Sequence, residues 1–132
     1  MLYSFDLRIK PEPQQRVRFY RKRAYDPSKE YKKSLKLQLL SQFSGELIED
    51  PIFLRLTFRM PIPKSTTKAR MKAILNGEVF HVKRPDIDNL AKAALDALND
   101  TVIKDDSQIY ALHTNKIYSA CPGITMLLAT EE

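Results

Sequence analysis

Hydrophobic residues that alternate with polar ones, or recur at helical spacing, predict four strands and two helices. Apolar and polar side chains alternate in "LYSFDLRI" (residues 2–9) and in "PIFLRLTFRM" (residues 51–60), which predicts two half-buried strands. Near the end of the chain, "SQIYALHTNKIY" (residues 107–118) and "ITMLLAT" (residues 124–130) predict two more strands, joined by a tight turn at "SACPG".

The two helices are predicted from apolar residues that recur every three or four positions. The first lies within residues 26–45 and has about four turns. Its apolar positions are Tyr31, Leu35, Leu39 and Phe43. The second covers residues 86–99, and its apolar positions form one face: Ile87, Leu90, Ala91, Ala94, Leu95 and Leu98.

Two segments carry mixed signals. Residues 10–25, "KPEPQQRVRFYRKRAY", combine prolines with interleaved basic and aromatic side chains, which indicates a basic loop or ribbon. Residues 61–85 have prolines at both ends, and their middle fits a short helix or a hairpin; so long a connection is typical of a binding loop. We therefore predict one α+β domain over residues 1–132, a small mixed sheet with two main helices in the order β-α-β-(long loop)-α-β-β.

The composition is that of a soluble globular protein with an anionic partner. No window is apolar enough to span a bilayer, and "MLYSFDLRIK" lacks the features of a secretion signal, so we expect a cytoplasmic protein with no membrane partner. A single cysteine, Cys121, excludes a disulfide within the chain and a cysteine-based zinc cluster. The net charge of +6 fits a polyanion such as nucleic acid.

Charge is distributed unevenly along the chain. Residues 1–36 contain eleven Lys or Arg against four Asp or Glu, and residues 49–84 contain eight against three. Between residues 86 and 106 the balance inverts to two basic against six acidic side chains. The acids therefore form an island within a basic chain, on the second predicted helix and just before the strand that follows it.

Asp86 and Asp88 have two interpretations. Asp86 could cap the helix N-terminus, where an anion is favoured by about 0.3–1 kcal/mol, and Asp88 could form an ordinary ion pair with Lys92. Alternatively, Asp86 faces a functional site from the cap position while Asp88 and Lys92 share one helical face beside it. The two roles are compatible. Asp96 and Asp100, near the helix C-terminus, are interpreted as solvated and structural.

Asp105 and Asp106 are harder to explain structurally, because adjacent acids before a strand repel each other. The two acidic pairs are explained together if they surround a divalent cation, since Mg²⁺ prefers oxygen ligands and needs only about one to three carboxylates plus a phosphate oxygen. A helix over residues 86–99 is about 20 Å long, and the six extended residues 100–105 span about 20 Å, so the chain can just return to the helix start. Otherwise the two pairs could meet across a dimer.

These residues resemble those of the RusA family, the Holliday junction resolvases of phages, prophages and bacteria. "RPDIDNLAKAALDAL" followed by "KDDSQI" is similar to the family's D-x-D-N-x-x-K helix start and its paired aspartates before a strand, and "PEPQQRVRFYR" and "YDPS" are similar to its N-terminal segments. The resemblance implies a homodimeric endonuclease that nicks opposed strands of four-way junction DNA with Mg²⁺, for which Mn²⁺ can substitute, and without a small-molecule cofactor. By motif position it implies catalytic roles for Asp86, Asp88, Asp106 and Lys92 and metal ligation by Asp86, Asp88, Asp105 and Asp106.

Basic residues outside the acidic motif are candidate DNA contacts, which hold phosphates without reading sequence. They are Arg16, Arg18, Arg21, Lys22, Arg23, Lys64, Lys68, Arg70, Lys72, Lys83 and Arg84. Phe19 and Tyr20 are either core residues or a wedge for the unstacked centre of a junction. We assign no ligand role to His81 or His113.

Other kinds of site fit the sequence less well. An EF-hand loop counted from Asp86 would need Gly and Glu where the chain has Ala91 and Ala97. A glycosidase with paired carboxylates would be expected to carry aromatic sugar platforms, and the chain has no tryptophan. The alternative that stays open is a non-catalytic module that binds branched or duplex DNA, in which the aspartates have only structural roles.

Overall fold

The computed structural model describes residues 1–131, and its main body is a four-stranded sheet with two helices on one face. In chain order the elements are β1 (Leu2–Leu7), β2 (Arg18–Tyr20), β3 (Arg23–Tyr25), α1 (Lys29–Gln42), β4 (Ile52–Pro61), α2 (Lys68–Leu75), α3 (Ile87–Leu98), a 3-10 turn (Asp106–Gln108), β5 (Ile109–Ser119) and β6 (Gly123–Thr130). The predicted α+β class and mixed sheet are confirmed. Within the described residues, no helix combines the length and apolar character that crossing a membrane requires.

The strands lie in the order β1-β6-β4-β5, with β4 and β5 parallel and the other neighbours antiparallel. The last two strands of the chain are joined by a short turn, as predicted, but they do not pair with each other. β4 lies between them, and its alternate residues from Ile52 to Met60 are all buried on the inner face of the sheet.

The core lies between the inner face of the sheet and the two helices. Leu54, Leu56 and Phe58 of β4 are fully buried there, together with Leu35 of α1 and Leu90 of α3. The opposite face of the sheet is open and polar: Arg59 forms an ion pair with Asp6 at 2.7 Å, and the Thr57 hydroxyl donates to Asn115 Oδ1 at 3.0 Å. The helices therefore cover only one face of the sheet, and polar side chains at the edge of the helical layer remain accessible.

The two segments whose sequence gave mixed signals, residues 10–25 and 61–85, contain a hairpin and a helix. The predicted order of elements therefore lacks β2, β3 and α2. Residues 18–25 form a two-stranded hairpin whose turn residues, Arg21 and Lys22, have φ values of 48° and 65°, as hairpin turns require. The long connection contains α2, a third helix, capped by Thr67, whose hydroxyl accepts from the Arg70 N–H at 3.2 Å. The basic ribbon and the short helix proposed for these segments are both present.

Candidate functional site

Asp86 stands at the N-cap position of α3 but does not cap the helix with its side chain. Its backbone carbonyl accepts the first helical hydrogen bond, from Leu90 N–H at 3.2 Å, while its carboxylate makes no capping hydrogen bond. Asp86 is exposed. The first interpretation from sequence, that the Asp86 side chain caps the helix, is therefore wrong. Its carboxylate remains free to face a ligand.

One cavity brings together Asp88, Lys92 and Asp106, in a volume of about 430 Å³ that is also lined by Leu112 and Thr114 of β5. Asp88 and Lys92 lie one turn apart on the same face of α3. Asp106 reaches them from the first residue of the 3-10 turn that leads into β5. Three of the predicted catalytic residues, two from α3 and one from the 3-10 turn, therefore share one pocket.

Asp86 borders a second cavity, of about 680 Å³, together with Asp88 and Lys116. Asp88 thus lines both cavities, whereas Asp86 lines only the second of them and Asp106 only the first. Within residues 1–131, no group of three or more His, Cys, Asp or Glu side chains is arranged so that it could hold a metal ion. The acids flank a common rim of α3 and do not form a closed cage.

The reason lies in the turn after α3, where the extended return expected for residues 100–105 is wrong. The Asp100 N–H donates to the Ile103 carbonyl at 2.8 Å, and the Val102 N–H donates to the Leu98 carbonyl at 3.1 Å. Asp100 adopts a φ of 62° within this compact turn. The chain therefore reaches the middle of α3 at Asp106 and does not return to the start of the helix at Asp86.

Asp105 has a structural role that the sequence did not suggest. Its carboxylate accepts from the Ser107 N–H at 3.0 Å, and the Gln108 side chain accepts from the Asp105 N–H at 2.8 Å, which closes a capping box on the 3-10 turn. The hydrogen bonds from Ser107 hold the pKa of the Asp105 carboxyl below its usual value. Asp105 stabilises the turn that carries Asp106, and its role as a metal ligand stays a prediction.

Acids with a structural role and acids of the motif differ in their partners. Asp26 and Asp96 both bind the ammonium group of Lys32, at 2.7 and 3.1 Å, which links α1 to α3. Although burial disfavours the charged form of Lys32, these two hydrogen bonds raise its pKa above the usual value. By contrast, the carboxylates of Asp86, Asp88 and Asp106 have no hydrogen-bond or ion-pair partner among residues 1–131. The three acids of the motif are therefore available to a cation.

The candidate DNA contacts fall into three groups. Four of them, Arg18, Arg21, Lys22 and Arg23, lie exposed on the β2–β3 hairpin, next to Arg16. Lys83 and Arg84 line the cavities that Asp86 borders. Lys64, Lys68, Arg70 and Lys72 are exposed on α2 and the loop before it, and they line neither cavity that holds the acids.

The hairpin is connected to the start of α3. The Gln14 N–H, just before the hairpin, donates to the Asn89 carbonyl in the first turn of α3 at 2.9 Å. Phe19 and Tyr20 are 75% and 65% exposed, so they are not core residues. The basic hairpin therefore extends from the acidic rim with two unburied aromatic side chains.

Sequence reasoning missed a lysine of the site. Lys116 of β5 donates from Nζ to the Lys83 carbonyl at 2.7 Å and to the Pro85 carbonyl at 3.0 Å. No sequence signal marked this lysine, because its inward position follows from the register that pairs it with the buried Phe58, which only the fold decides.

His81 also lies at the site, against the ring of Tyr118 with a centroid separation of 4.8 Å. Its Nδ1 atom is buried and has no hydrogen-bond partner among the described residues. Burial and, secondarily, the positive charge of Lys116 lower the pKa of His81 below its usual value. The imidazole is therefore neutral at neutral pH.

Comparison with known proteins identifies one family. The model of the family described as "Endodeoxyribonuclease RusA" matches residues 8–128, which include every element that forms the site. The chain is 33% identical over 107 residues to "Uncharacterized protein YqaN" of Bacillus subtilis (strain 168), an alignment that covers 78% of this chain and 75% of that protein.

We predict that His81 makes folding stability depend on pH just below neutrality. The unfolded chain takes up a proton on this histidine near its unperturbed pKa of about 6.5, before the folded protein does, so stability falls as the pH drops below that value. His81→Phe keeps the aromatic packing and removes the titration. Urea unfolding at about pH 7.5 and about pH 5.5 should show a smaller loss of stability in the variant. Equal losses in both proteins would contradict the assignment.

Proposed function

The chain belongs to the RusA endodeoxyribonuclease family, and on that premise we propose that it is a magnesium-dependent endonuclease that resolves four-way DNA junctions by paired nicks. Family membership supports nuclease activity on junction DNA. The observation that carries the finer proposal is the set of unpartnered carboxylates, Asp88 and Asp106 in one cavity with Lys92, and Asp86 beside it.

The residues at this rim fit a divalent cation. All three carboxylates are hard oxygen donors without a protein partner, and Mg²⁺ keeps several waters, so that about one to three carboxylates and a phosphate oxygen complete its shell. Mn²⁺ shares this preference for oxygen ligands and can substitute. When bound, the cation would activate water and stabilise the leaving oxygen of the phosphodiester.

We assign the remaining chemistry to the chain's own groups. Asp88 and Asp106, which share one cavity, would hold the cation, Asp86 would contribute from the cavity that it shares with Asp88, and Asp105 would be a further contributor. Lys92, one turn after Asp88, offsets the charge that develops on the phosphate and donates a proton to the leaving oxygen. These groups need no small-molecule cofactor.

We propose that the exposed cations hold the arms of the DNA through their phosphates. The eleven candidates keep the roles predicted from sequence, with the hairpin group and Lys83 and Arg84 adjacent to the acids. Phe19 and Tyr20, exposed at the hairpin, would stack in the unpaired centre of the junction. Contacts of this kind select the branched shape and leave most of the base sequence unread.

A homodimer is part of the proposal, because paired nicks need two sites. β5 is an edge strand of 11 residues with exposed Tyr110, Leu112 and Ile117. Long apolar edge strands are normally covered in a native protein. A second copy seated on β5 would also bring the two Asp106 side chains toward one interface, since Asp106 lies three residues before the strand.

Replacing single acids tests the metal site. Asp86→Asn or Asp106→Asn should each reduce Mg²⁺-dependent nicking of a labelled synthetic four-way junction by about 100-fold or more, because the charge that holds the cation is lost. Junction binding should be retained or tightened, because each change removes repulsion from DNA.

Asp100→Asn is the matched control for these variants. Asp100 is exposed, borders neither acidic cavity, and has a φ of 62°, which asparagine tolerates. This variant should nick junctions at the wild-type rate. Undiminished cleavage by Asp86→Asn and Asp106→Asn would instead favour a non-catalytic DNA-binding module.

Mixed dimers test whether two subunits act together. Wild-type protein mixed with excess Asp106→Asn should convert a cruciform plasmid mainly to nicked circles, because a mixed dimer has one functional site. Wild-type protein alone should give linear product from paired nicks. A ratio of linear to nicked product that does not change on mixing would argue against the homodimer.

Salt dependence tests the hairpin as a DNA contact. Arg18→Gln combined with Arg21→Gln should reduce the slope of log affinity against log salt by about 2, since each lost phosphate contact removes about 0.9 from it. The control is Arg8→Gln with Arg55→Gln, at the open face of the sheet. Equal slopes for the two double variants would remove the hairpin from the interface.

A further inference from the structure

We propose that Lys116 is a positioning residue that holds Asp86 in place by fastening the loop before α3 to β5. Its ammonium group donates to two carbonyls of that loop, those of Lys83 at 2.7 Å and Pro85 at 3.0 Å. Asp86 follows Pro85 directly. The inference rests on the proposed nuclease site, because it concerns how one of that site's acids is oriented.

The position of Lys116 is unusual for a lysine. It faces inward on β5, in register with Phe58, whose side chain is fully buried. A half-buried ammonium group is costly unless its donors are satisfied. Within the described residues Lys116 forms no ion pair, so the two loop carbonyls are the partners that satisfy it.

The two hydrogen bonds lie on either side of Arg84, so they fix both the position and the orientation of the backbone where it enters α3. No side-chain hydrogen bond orients Asp86 at the cap, so the loop is what sets its position. Lys116 belongs to the strand that Asp106 precedes. By joining the loop to β5, Lys116 therefore keeps the position of Asp86 fixed relative to Asp106.

A second role for Lys116 would be to offset the negative charge of the acids, since it lines a cavity with Asp86 and Asp88. The two roles have opposite consequences for cation binding. A nearby positive charge repels a cation, so its removal should tighten binding if charge is what matters. Loss of an anchor misplaces a ligand, so its removal should weaken binding even though repulsion is relieved.

Mn²⁺ binding, measured by electron paramagnetic resonance, separates these roles. Lys116→Met should bind Mn²⁺ about 10-fold more weakly than the wild type, the loss that is typical when a group supporting a metal ligand is removed. Lys116→Arg keeps a charged donor and should recover part of the affinity. Tighter binding by Lys116→Met would overturn the proposal.

His113→Ala is the matched control, because it removes an aromatic contact with Phe53 from another residue of β5, on the opposite face of the sheet, and His113 lines neither cavity that holds the acids. This variant should keep the wild-type affinity for Mn²⁺. A loss as large as that of Lys116→Met would show that any damage to β5 weakens the site, which would also overturn the anchoring role.

Hydrogen exchange in the metal-free protein tests the anchor independently of the proposed function. Amides of residues 83–90 should exchange faster in Lys116→Met than in the wild type or in His113→Ala, while β4 and α1 keep their protection. Unchanged exchange in this segment overturns the inference whether or not metal binds. If the wild type binds no Mn²⁺, the metal site fails, and the exchange result still decides whether Lys116 anchors the loop.

Discussion

The close packing of α3 on the sheet is the constraint on which the rest of the site depends. Four alanines of this helix, Ala91, Ala93, Ala94 and Ala97, are buried, and small side chains allow a helix to approach its neighbours closely. With that face held against the core, the polar positions of α3 must lie at the rim above β5. Asp88 and Lys92 face Leu112 and Thr114 across the cavity for this reason.

The acids that connect elements of the fold and the acids of the motif differ in their partners. Acids that hold elements together have cations or N–H groups beside them: Asp6 has Arg59, Asp26 and Asp96 share Lys32, and Asp105 has Ser107. The three motif acids have neither kind of partner within the part of the chain described. A protein with a net charge of +6 has enough cations to pair them. Leaving them unpaired raises the free energy of the empty site and favours the binding of a cation.

Lys116 and Asp105 illustrate how residues beside a site can serve it through the backbone. Lys116 binds two loop carbonyls before α3, and Asp105 closes the turn before β5. Both contacts act on the segment that carries a motif acid. Motif spacing cannot distinguish such residues from the acids themselves, which is why Asp105 was grouped with Asp106 and Lys116 was overlooked.

The sequence alone determined the periodic elements and the motif, because strand alternation and helical spacing depend on residues a few positions apart. The burial of Leu90 and Ala94, the strands at both ends, and the placement of Asp88 and Lys92 on one helical face all follow from such local spacing. Only the tertiary structure decided that β4 separates the last two strands, that the chain turns compactly at Asp100, and that Lys116 lies beneath the loop before α3. These features depend on which distant segments pack together in the core. That packing is determined by all the buried surfaces at once, so it cannot be deduced from the spacing of residues a few positions apart.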